Sequence, residues 1–138
     1  MALKQISVFL ENKSGRLAEV SSIISNSGIN LRAISIADTA DFGILRMILD
    51  KPDEAAKLLE DNGFTARKTL VLGVEVHDHP GGLAGVMRLF EENNVNIEYL
   101  YSSLQNATEK AVIIFKVEDV QHGIEILEKF NVNRVSQF

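Results

Sequence analysis

Hydrophobic and polar residues alternate near the start of the chain and then follow a helical spacing. In the segment KQISVFL, Ile6, Val8 and Leu10 fall on one face of an extended strand. In the next segment, GRLAEVSSIISNSG, apolar residues recur every three or four positions, and Gly28 stands where a helix usually ends. The pattern therefore predicts a strand followed by a helix.

The first half of the chain continues with two further strands and a second helix. INLRAISIAD is rich in β-branched residues and predicts a strand, and ILRMILD predicts another after the turn DTADFG. KPDEAAKLLEDNGF has a proline near its start, acids in its first turn and Gly63 just past its end, all typical of helices. A short strand over about 64–69 completes the order β-α-β-β-α-β, which is the ferredoxin-like arrangement.

The second half of the chain repeats the first. SGRLAEV aligns with PGGLAGV, so that Gly15 matches Gly81 and Asn30 matches Asn96, 66 residues later in each case. Past about residue 41 the separation becomes 68, and FGILRMIL aligns with KAVIIFKV. The two extra residues belong to the segment SLQNATEK, where a turn is expected. In this copy we predict strands at 70–77, 95–104, 110–117 and 132–136, and helices at 81–93 and 120–130.

The repeat defines the predicted fold class and domains. We predict an α+β protein of two ferredoxin-like βαββαβ units in tandem, with domains at 1–68 and 69–138. Each unit has an antiparallel sheet with helices on one face, so the other face and the sheet edges would be unpaired. We therefore expect the two sheets to pair side by side as a pseudo-dimer. Homodimer formation through exposed positions such as Phe9 and Ile34 is a further expectation.

Composition narrows the classes of function. Of 138 residues, 46% are hydrophobic and 24% charged, as in ordinary globular proteins, and the net charge of −5 argues against a nucleic-acid partner. The absence of cysteine excludes disulfides and thiolate chemistry. The chain start does not resemble a signal peptide, and no apolar stretch approaches the ~18 residues of a membrane span. We expect a cytoplasmic location without membrane contact.

The segment HDHPGGLAGV raises three chemical alternatives. His77 and His79 would share a face of a strand, but Asp78 would point the other way, so surface or ligand-contacting histidines are favoured over a metal pair. The spacing of the glycines differs from that of a phosphate loop, and no lysine follows. No arrangement of nucleophile, base and acid is recognisable, so we predict no catalytic residues, no metal and no cofactor. A small enzyme that uses an open sheet face is a minor alternative.

The loop and strand motifs of the two repeated halves resemble those of the ACT domain family. The family pattern is a strand, a polar loop, a glycine followed two residues later by leucine, a helix, and Gly-(Ile/Val)-Asn-Ile entering the next strand. ENKSGRLAEV with SGINLRAISI is similar to it, and so is DHPGGLAGV with NNVNIEYLY. The resemblance covers essentially the whole chain and implies a tandem pair of ACT domains without an attached enzyme.

The resemblance implies a non-catalytic regulatory role. Such domains bind small molecules, most often amino acids, at the interface of two domains, and they pass the signal to an enzyme or a transcription factor. The implied ligand is therefore an amino acid, and the implied partner is a regulated enzyme. An alternative function is a protein-interaction subunit that regulates an amino-acid biosynthetic enzyme and has no ligand of its own.

The resemblance also implies paired binding residues. In serine-sensing members, an asparagine three residues before the loop glycine acts with the strand-start asparagine of the partner domain. Here the pairs would be Asn12 with Asn96, and Asp78 with Asn30. Those members also have a histidine five residues before the glycine. Leu10 and Val76 occupy those positions, which argues against serine as the ligand and allows the two sites to differ.

The loop glycines suit an anion. Glycine lets a ligand approach the backbone, and the first N–H groups of a helix are unpaired and partly positive, so a carboxylate fits there. Leu17 and Leu83 are predicted to be core residues whose N–H groups face the ligand. The complete set of predicted ligand contacts is Asn12, Ser14, Gly15, Arg16, Leu17, Asn30, Leu31, Asp78, His79, Gly81, Gly82, Leu83, Asn96 and Ile97.

Overall fold

The computed structural model describes residues 2–11, 13–38, 41–104 and 110–136. The chain divides into two compact units. The first unit is Lys4–Thr69, and the second unit is Met1–Leu3 together with Leu70–Phe138.

The first unit is a four-stranded sheet with two helices. Its sheet order is β2-β3-β1-β4, and the β1–β3 and β2–β3 pairs are antiparallel. Its elements in chain order are β1 (Leu3–Glu11), α1 (Arg16–Asn26), β2 (Leu31–Asp38), β3 (Phe42–Leu49), α2 (Pro52–Asp61) and the beginning of β4 (Thr65–His77).

The second unit repeats this architecture. The remainder of β4 takes the place of the first strand, and β4 pairs antiparallel with both β6 and β7, while β5 pairs with β6. The order is therefore β7-β4-β6-β5. The further elements are α3 (Gly82–Glu92), β5 (Ile97–Ser102), β6 (Lys110–Val117), α4 (Val120–Lys129) and β7 (Arg134–Val135). The predicted α+β class and tandem ferredoxin-like units are confirmed.

Each unit has an apolar core between one sheet face and its helices. In the first unit, Val8 of β1 and Met47 of β3 pack with Leu59 of α2, and all three are almost completely buried. In the second unit, Phe90 of α3 meets Phe115 of β6 edge to face, with ring centroids 5.3 Å apart. The alternating apolar positions of the sequence are the ones that face these cores.

The edge strand β2 leaves apolar side chains exposed in the first unit. Ile34 pairs with Met47 and Ile36 with Leu45, so both isoleucines point to the face that carries the helices. They are nevertheless 40% and 50% exposed. The reason is that β2 is the outermost strand in the sheet order of its unit, so no strand lies beyond it there.

Several strand boundaries differ from the predictions, and the strand predicted at 95–104 is shorter, Ile97–Ser102. The predicted strands 64–69 and 70–77 form the single continuous strand β4, because no turn residue separates them. Phe42 and Gly43, predicted as turn, begin β3 because they pair with Glu11 and Leu10. The strand predicted at 132–136 is reduced to Arg134–Val135. Part of the predicted turn SLQNATEK lies outside the described residues.

Left-handed residues after the helices follow the repeat. Gly28 and Gly63, after α1 and α2, have φ angles of 72° and 86°. The equivalent positions after α3 and α4 are Asn94 and Asn131, with φ of 58° and 55°. Asparagine tolerates this conformation better than other residues with a side chain. The two units therefore share a backbone conformation at positions where their residues differ.

None of the helices in the described ranges combines the length and the apolar character required to cross a bilayer.

Candidate functional site

The turns that lead into α1 and α3 share a left-handed glycine and two backbone hydrogen bonds. Gly15 and Gly81 precede the helices with φ of 90° and 91°. In the first turn, Lys13 N–H donates to the Glu11 carbonyl at 2.8 Å, and in the second, His79 N–H donates to His77 at 2.9 Å. A second hydrogen bond also recurs. The N–H of Arg16 donates to the Lys13 carbonyl at 3.4 Å, and the N–H of Gly82 donates to the His79 carbonyl at 3.1 Å. The repeat is thus visible in individual hydrogen bonds.

Neither of these two helices begins with a side-chain cap. No side chain bonds to the first turn of α1 or α3 within the described part of the chain. In α4, by contrast, the Asp119 carboxylate accepts from the backbone N–H of His122 at 3.1 Å. First-turn N–H groups without an internal partner attract anions. Carboxylate binding at these turns stays a prediction.

Charged side chains surround the first turn and are already paired. Lys13 Nζ lies 2.8 Å from Glu11, and Arg16 lies 3.8 Å from Glu11 and 3.2 Å from Glu19. The hydrogen bond from Lys13 holds the pKa of the Glu11 carboxyl below its usual range, and the charges of Lys13 and Arg16 act in the same direction. Arg16, a predicted ligand contact, is thus engaged with two carboxylates of its own unit.

Histidines surround the second turn. The rings of His77 and His79 stack with centroids 5.3 Å apart, and His79 Nδ1 lies 2.9 Å from the Pro80 carbonyl oxygen. Both rings and Asp78 are exposed. Within the described ranges, no three histidine or acidic side chains are grouped so that they could hold a metal. A Cβ at Gly82 would collide with the His77 carbonyl, so this turn requires glycine where the first turn has Arg16.

The strand-start asparagines are anchored to an acidic residue. The backbone N–H of Asp50 donates to the Asn30 carbonyl at 3.1 Å, and that of Glu118 donates to Asn96 at 2.9 Å. Asp50 Oδ1 also accepts from the Asn30 backbone N–H at 3.0 Å, whereas Glu118 Oε2 accepts from the Asn96 side chain at 3.2 Å. Asn30 and Asn96 therefore occupy equivalent backbone positions but present their carboxamides differently.

A groove of about 520 Å³ runs along α1 in the first unit. Its floor is apolar and comes from the core, while Asn30 and two serines supply polar groups. Of the predicted set, Leu17, Asn30 and Leu31 line it, at different points along its length. The lining residues are Leu17, Ala18, Val20, Ser21, Ile24, Ser25, Ile29, Asn30, Leu31, Ile34, Leu45 and Met47.

The prediction that Leu17 lies in the core is wrong. The residue is 48% exposed and lines the groove. It lies one turn before the buried Val20 and shares the groove lining with Ile34 of β2, the outermost strand of the unit. In the second unit, Leu83 is equivalent to Leu17 and Ile97 is equivalent to Leu31. Both side chains are partly buried and pack against the core of that unit.

Within one unit, the two halves of the predicted site are far apart. Gly15 precedes α1 and Asn30 follows it, and a helix of 11 residues is roughly 16 Å long. The same holds for Gly81 and Asn96 at the two ends of α3. One amino acid cannot contact both ends from a single unit. Asn12 lies outside the described residues, so its pairing with Asn96 and that of Asp78 with Asn30 stay predictions.

The sequence predictions missed the small residues of the groove. Ala18, Ser21 and Ser25 lie three or four positions apart on α1, next to the apolar stripe. Their spacing is visible in the sequence, and it indicates a helix face with room beside it. The missing information was that β2 is an edge strand, which leaves that face open.

Comparisons with known proteins give a family match over nearly the whole chain. The model of the family described as the ACT domain pair matches residues 1–137. No curated protein matches the chain. The protein BT0572 from Bacteroides thetaiotaomicron is 41% identical, with a TM-score of 0.92 over 98% of this chain and 92% of that one.

Two further structures share the fold at low identity. The regulatory subunit of aspartate kinase from Thermus thermophilus, in its ligand-free form, is 17% identical with a TM-score of 0.66, over 94% of this chain and 93% of that one. The corresponding subunit from Thermus flavus is 16% identical with a TM-score of 0.63, over 94% and 92%. Both similarities extend over nearly the whole chain, as the family match does. The chain belongs to the ACT domain pair family.

Proposed function

We propose that the chain is a non-catalytic regulatory protein that binds a free amino acid with an aliphatic side chain. The observation that carries this proposal is the groove along α1, with its apolar floor and Asn30 among its lining residues. Membership of the ACT domain pair family supports ligand sensing in general. The fold is also that of the Thermus proteins described as regulatory subunits of aspartate kinase, which supports a regulatory role.

The groove has the size and chemistry for such a ligand. Its volume of about 520 Å³ lies within the range of small-molecule sites, which runs from about 300 to 1,000 Å³. Val20, Ile24 and Met47 provide a buried apolar surface for the side chain of the ligand. The Asn30 carboxamide both donates and accepts hydrogen bonds, so it complements either the carboxylate or the ammonium group.

The turns before α1 and α3 are the second element of the proposed site. We propose that a first-turn N–H cradle, at Gly15 or Gly81, receives the ligand carboxylate as the resemblance implies. Because one unit cannot supply both a cradle and a strand-start asparagine to one small ligand, this part requires a composite site. Asp78 with Asn30 is the pair to test, since Asp78 and Asn30 both lie in the described ranges.

Isothermal titration of the twenty amino acids tests the ligand. We expect binding that is strongest for leucine, isoleucine, valine or methionine. In Ala18→Phe the new ring occupies the groove and should abolish binding there, while Ala18 is exposed, so folding should be retained. Ser22→Phe, at an exposed position of α1 that does not line the groove, is the matched control. Absence of heat from every amino acid with folded protein refutes the proposal.

A second candidate is an interaction subunit of a biosynthetic enzyme without a ligand of its own. Its support is the fold shared with the regulatory subunit of aspartate kinase from Thermus thermophilus, since the similarity covers 94% of this chain and 93% of that one. Affinity purification from the native cells separates the candidates. A co-purified enzyme whose activity ignores amino acids favours the interaction subunit, and one that responds to the titrated amino acid favours the sensor.

A further inference from the structure

The two strand-start asparagines are held in the same backbone frame. In both units an acidic residue directly follows the third strand of the unit, after Leu49 or Val117, and its N–H donates to the asparagine carbonyl. This bond measures 3.1 Å for Asp50 with Asn30 and 2.9 Å for Glu118 with Asn96. Any difference between the asparagines therefore comes from side chains.

The acidic side chains differ by one methylene group, and this length decides which donor they reach. The Asp50 carboxylate accepts from the backbone N–H of Asn30 at 3.0 Å. The Glu118 carboxylate reaches further and accepts from the Asn96 carboxamide Nδ2 at 3.2 Å. The Asn30 carboxamide has no hydrogen-bond partner among the described residues, and Asn30 is one of the residues that line the groove.

We infer that Glu118 is an intramolecular competitor that makes the second unit the weaker amino-acid site. Its carboxylate accepts the hydrogen bond from Asn96 Nδ2 that a ligand carboxylate would otherwise accept. A ligand must therefore displace Glu118 first. Asn30 requires no such displacement, because Asp50 bonds only to its backbone. This inference rests on the proposed function and concerns the affinity of its two equivalent asparagine positions.

The expected size of the effect is modest because the contact is exposed. Asn96 and Glu118 both lie at the surface, where water competes for their hydrogen bonds. A net hydrogen-bond contribution of about 0.5–1.5 kcal/mol corresponds to a roughly twofold to tenfold change in affinity. Release of Asn96 should therefore strengthen binding at the second unit by a factor within that range.

Glu118→Asp tests the inference by giving the second unit the shorter side chain of the first. The titrations use the amino acid with the largest heat on the wild-type chain. The Asn30→Ala background weakens the first site, so that changes at Asn96 can be assigned. The reciprocal variant Asp50→Glu should hold Asn30 and weaken the first site. Glu125→Asp, the same chemical change at an exposed position of α4, is the control.

The outcomes distinguish this inference from the proposed function. The inference expects N30A/E118D to bind twofold to tenfold more tightly than N30A, D50E to bind more weakly than wild type, and E125D to bind like wild type. If the wild-type chain binds and N30A/E118D binds no better than N30A, the inference fails and the proposed function stands. If no protein gives heat, both fail.

A ligand-free measurement checks the contact itself. In ¹H–¹⁵N spectra, the Asn96 side-chain NH₂ signals should shift in E118D, and those of Asn30 should not. Unchanged Asn96 signals in a folded E118D protein would overturn the inference even where binding changes.

Discussion

Gly15 and Gly85 have opposite effects on the stability of the backbone that surrounds them. Gly15 sits before α1 with a φ of 90°, in the left-handed region, and a Cβ there would meet nothing within 4 Å. Gly85 lies inside α3, and a Cβ there would also meet nothing within 4 Å. Since space is available at both positions, alanine at each tests backbone conformation alone.

The magnitudes follow from the two conformations. A left-handed backbone costs a residue with a Cβ about 1–2 kcal/mol, offset by about 0.4–1 kcal/mol of lost unfolded-state entropy. Gly15→Ala should therefore lower the free energy of unfolding by about 1 kcal/mol. Alanine within a helix is about 0.5–1 kcal/mol better than glycine, so Gly85→Ala should raise that free energy by a similar amount.

Urea unfolding followed by circular dichroism measures both changes. With a typical m-value of about 2 kcal/mol/M, the two midpoints should move in opposite directions by roughly 0.3–0.5 M. Gly81→Ala, with a φ of 91°, should behave like Gly15→Ala. If Gly15→Ala stabilises the chain as Gly85→Ala does, the left-handed geometry of the turn is refuted.

Two further predictions concern charge and the composite site. The hydrogen bond from Lys4, and then that from Lys68, hold the pKa of the Asp53 carboxyl below its usual range. This carboxylate therefore stabilises the fold at pH values above its unfolded-state pKa. The stabilisation is lost as the pH falls through the folded-state pKa. Asp53→Asn should therefore lower the urea midpoint near neutral pH but not in strong acid, and an equal deficit at both pH values would contradict the ion-pair account. If Asp78 and Asn30 contact one ligand, the double variant of Asp78→Ala and Asn30→Ala should lose less binding free energy than the two single variants lose in sum. Isothermal titration of the three variants measures this, and strict additivity would argue for separate roles.

Hydrophobic periodicity and the repeat predicted the fold from the sequence. The alternation of Ile6, Val8 and Leu10 and the spacing of Val20 and Ile24 reflect burial against one core. Such patterns survive in the sequence because each period corresponds to one element type. Strand boundaries were predicted less well, since pairing with Leu10 and Glu11, and not local turn propensity, places Phe42 and Gly43 in β3.

The candidate site was only partly predictable because it depends on what lies beside each element. The loop glycines were found, since their left-handed geometry recurs in both copies as glycine. The exposure of Leu17 follows from the position of β2 at the sheet edge, which no local pattern records. The engagement of Arg16 by Glu11 and Glu19 likewise depends on a loop conformation that brings these residues together.

The two units combine a shared backbone with different side chains, and this division assigns roles within the proposed function. The turn hydrogen bonds and the asparagine anchors recur at equivalent positions, so they cannot make one unit differ from the other in ligand preference. Such groups suit the carboxylate and ammonium, which all free amino acids share. Differences must come from groups present in only one unit, such as the stacked histidines or the longer reach of Glu118. Selectivity and relative affinity should therefore change with side-chain substitutions there, while substitutions that disturb the turn backbone should weaken all amino acids alike.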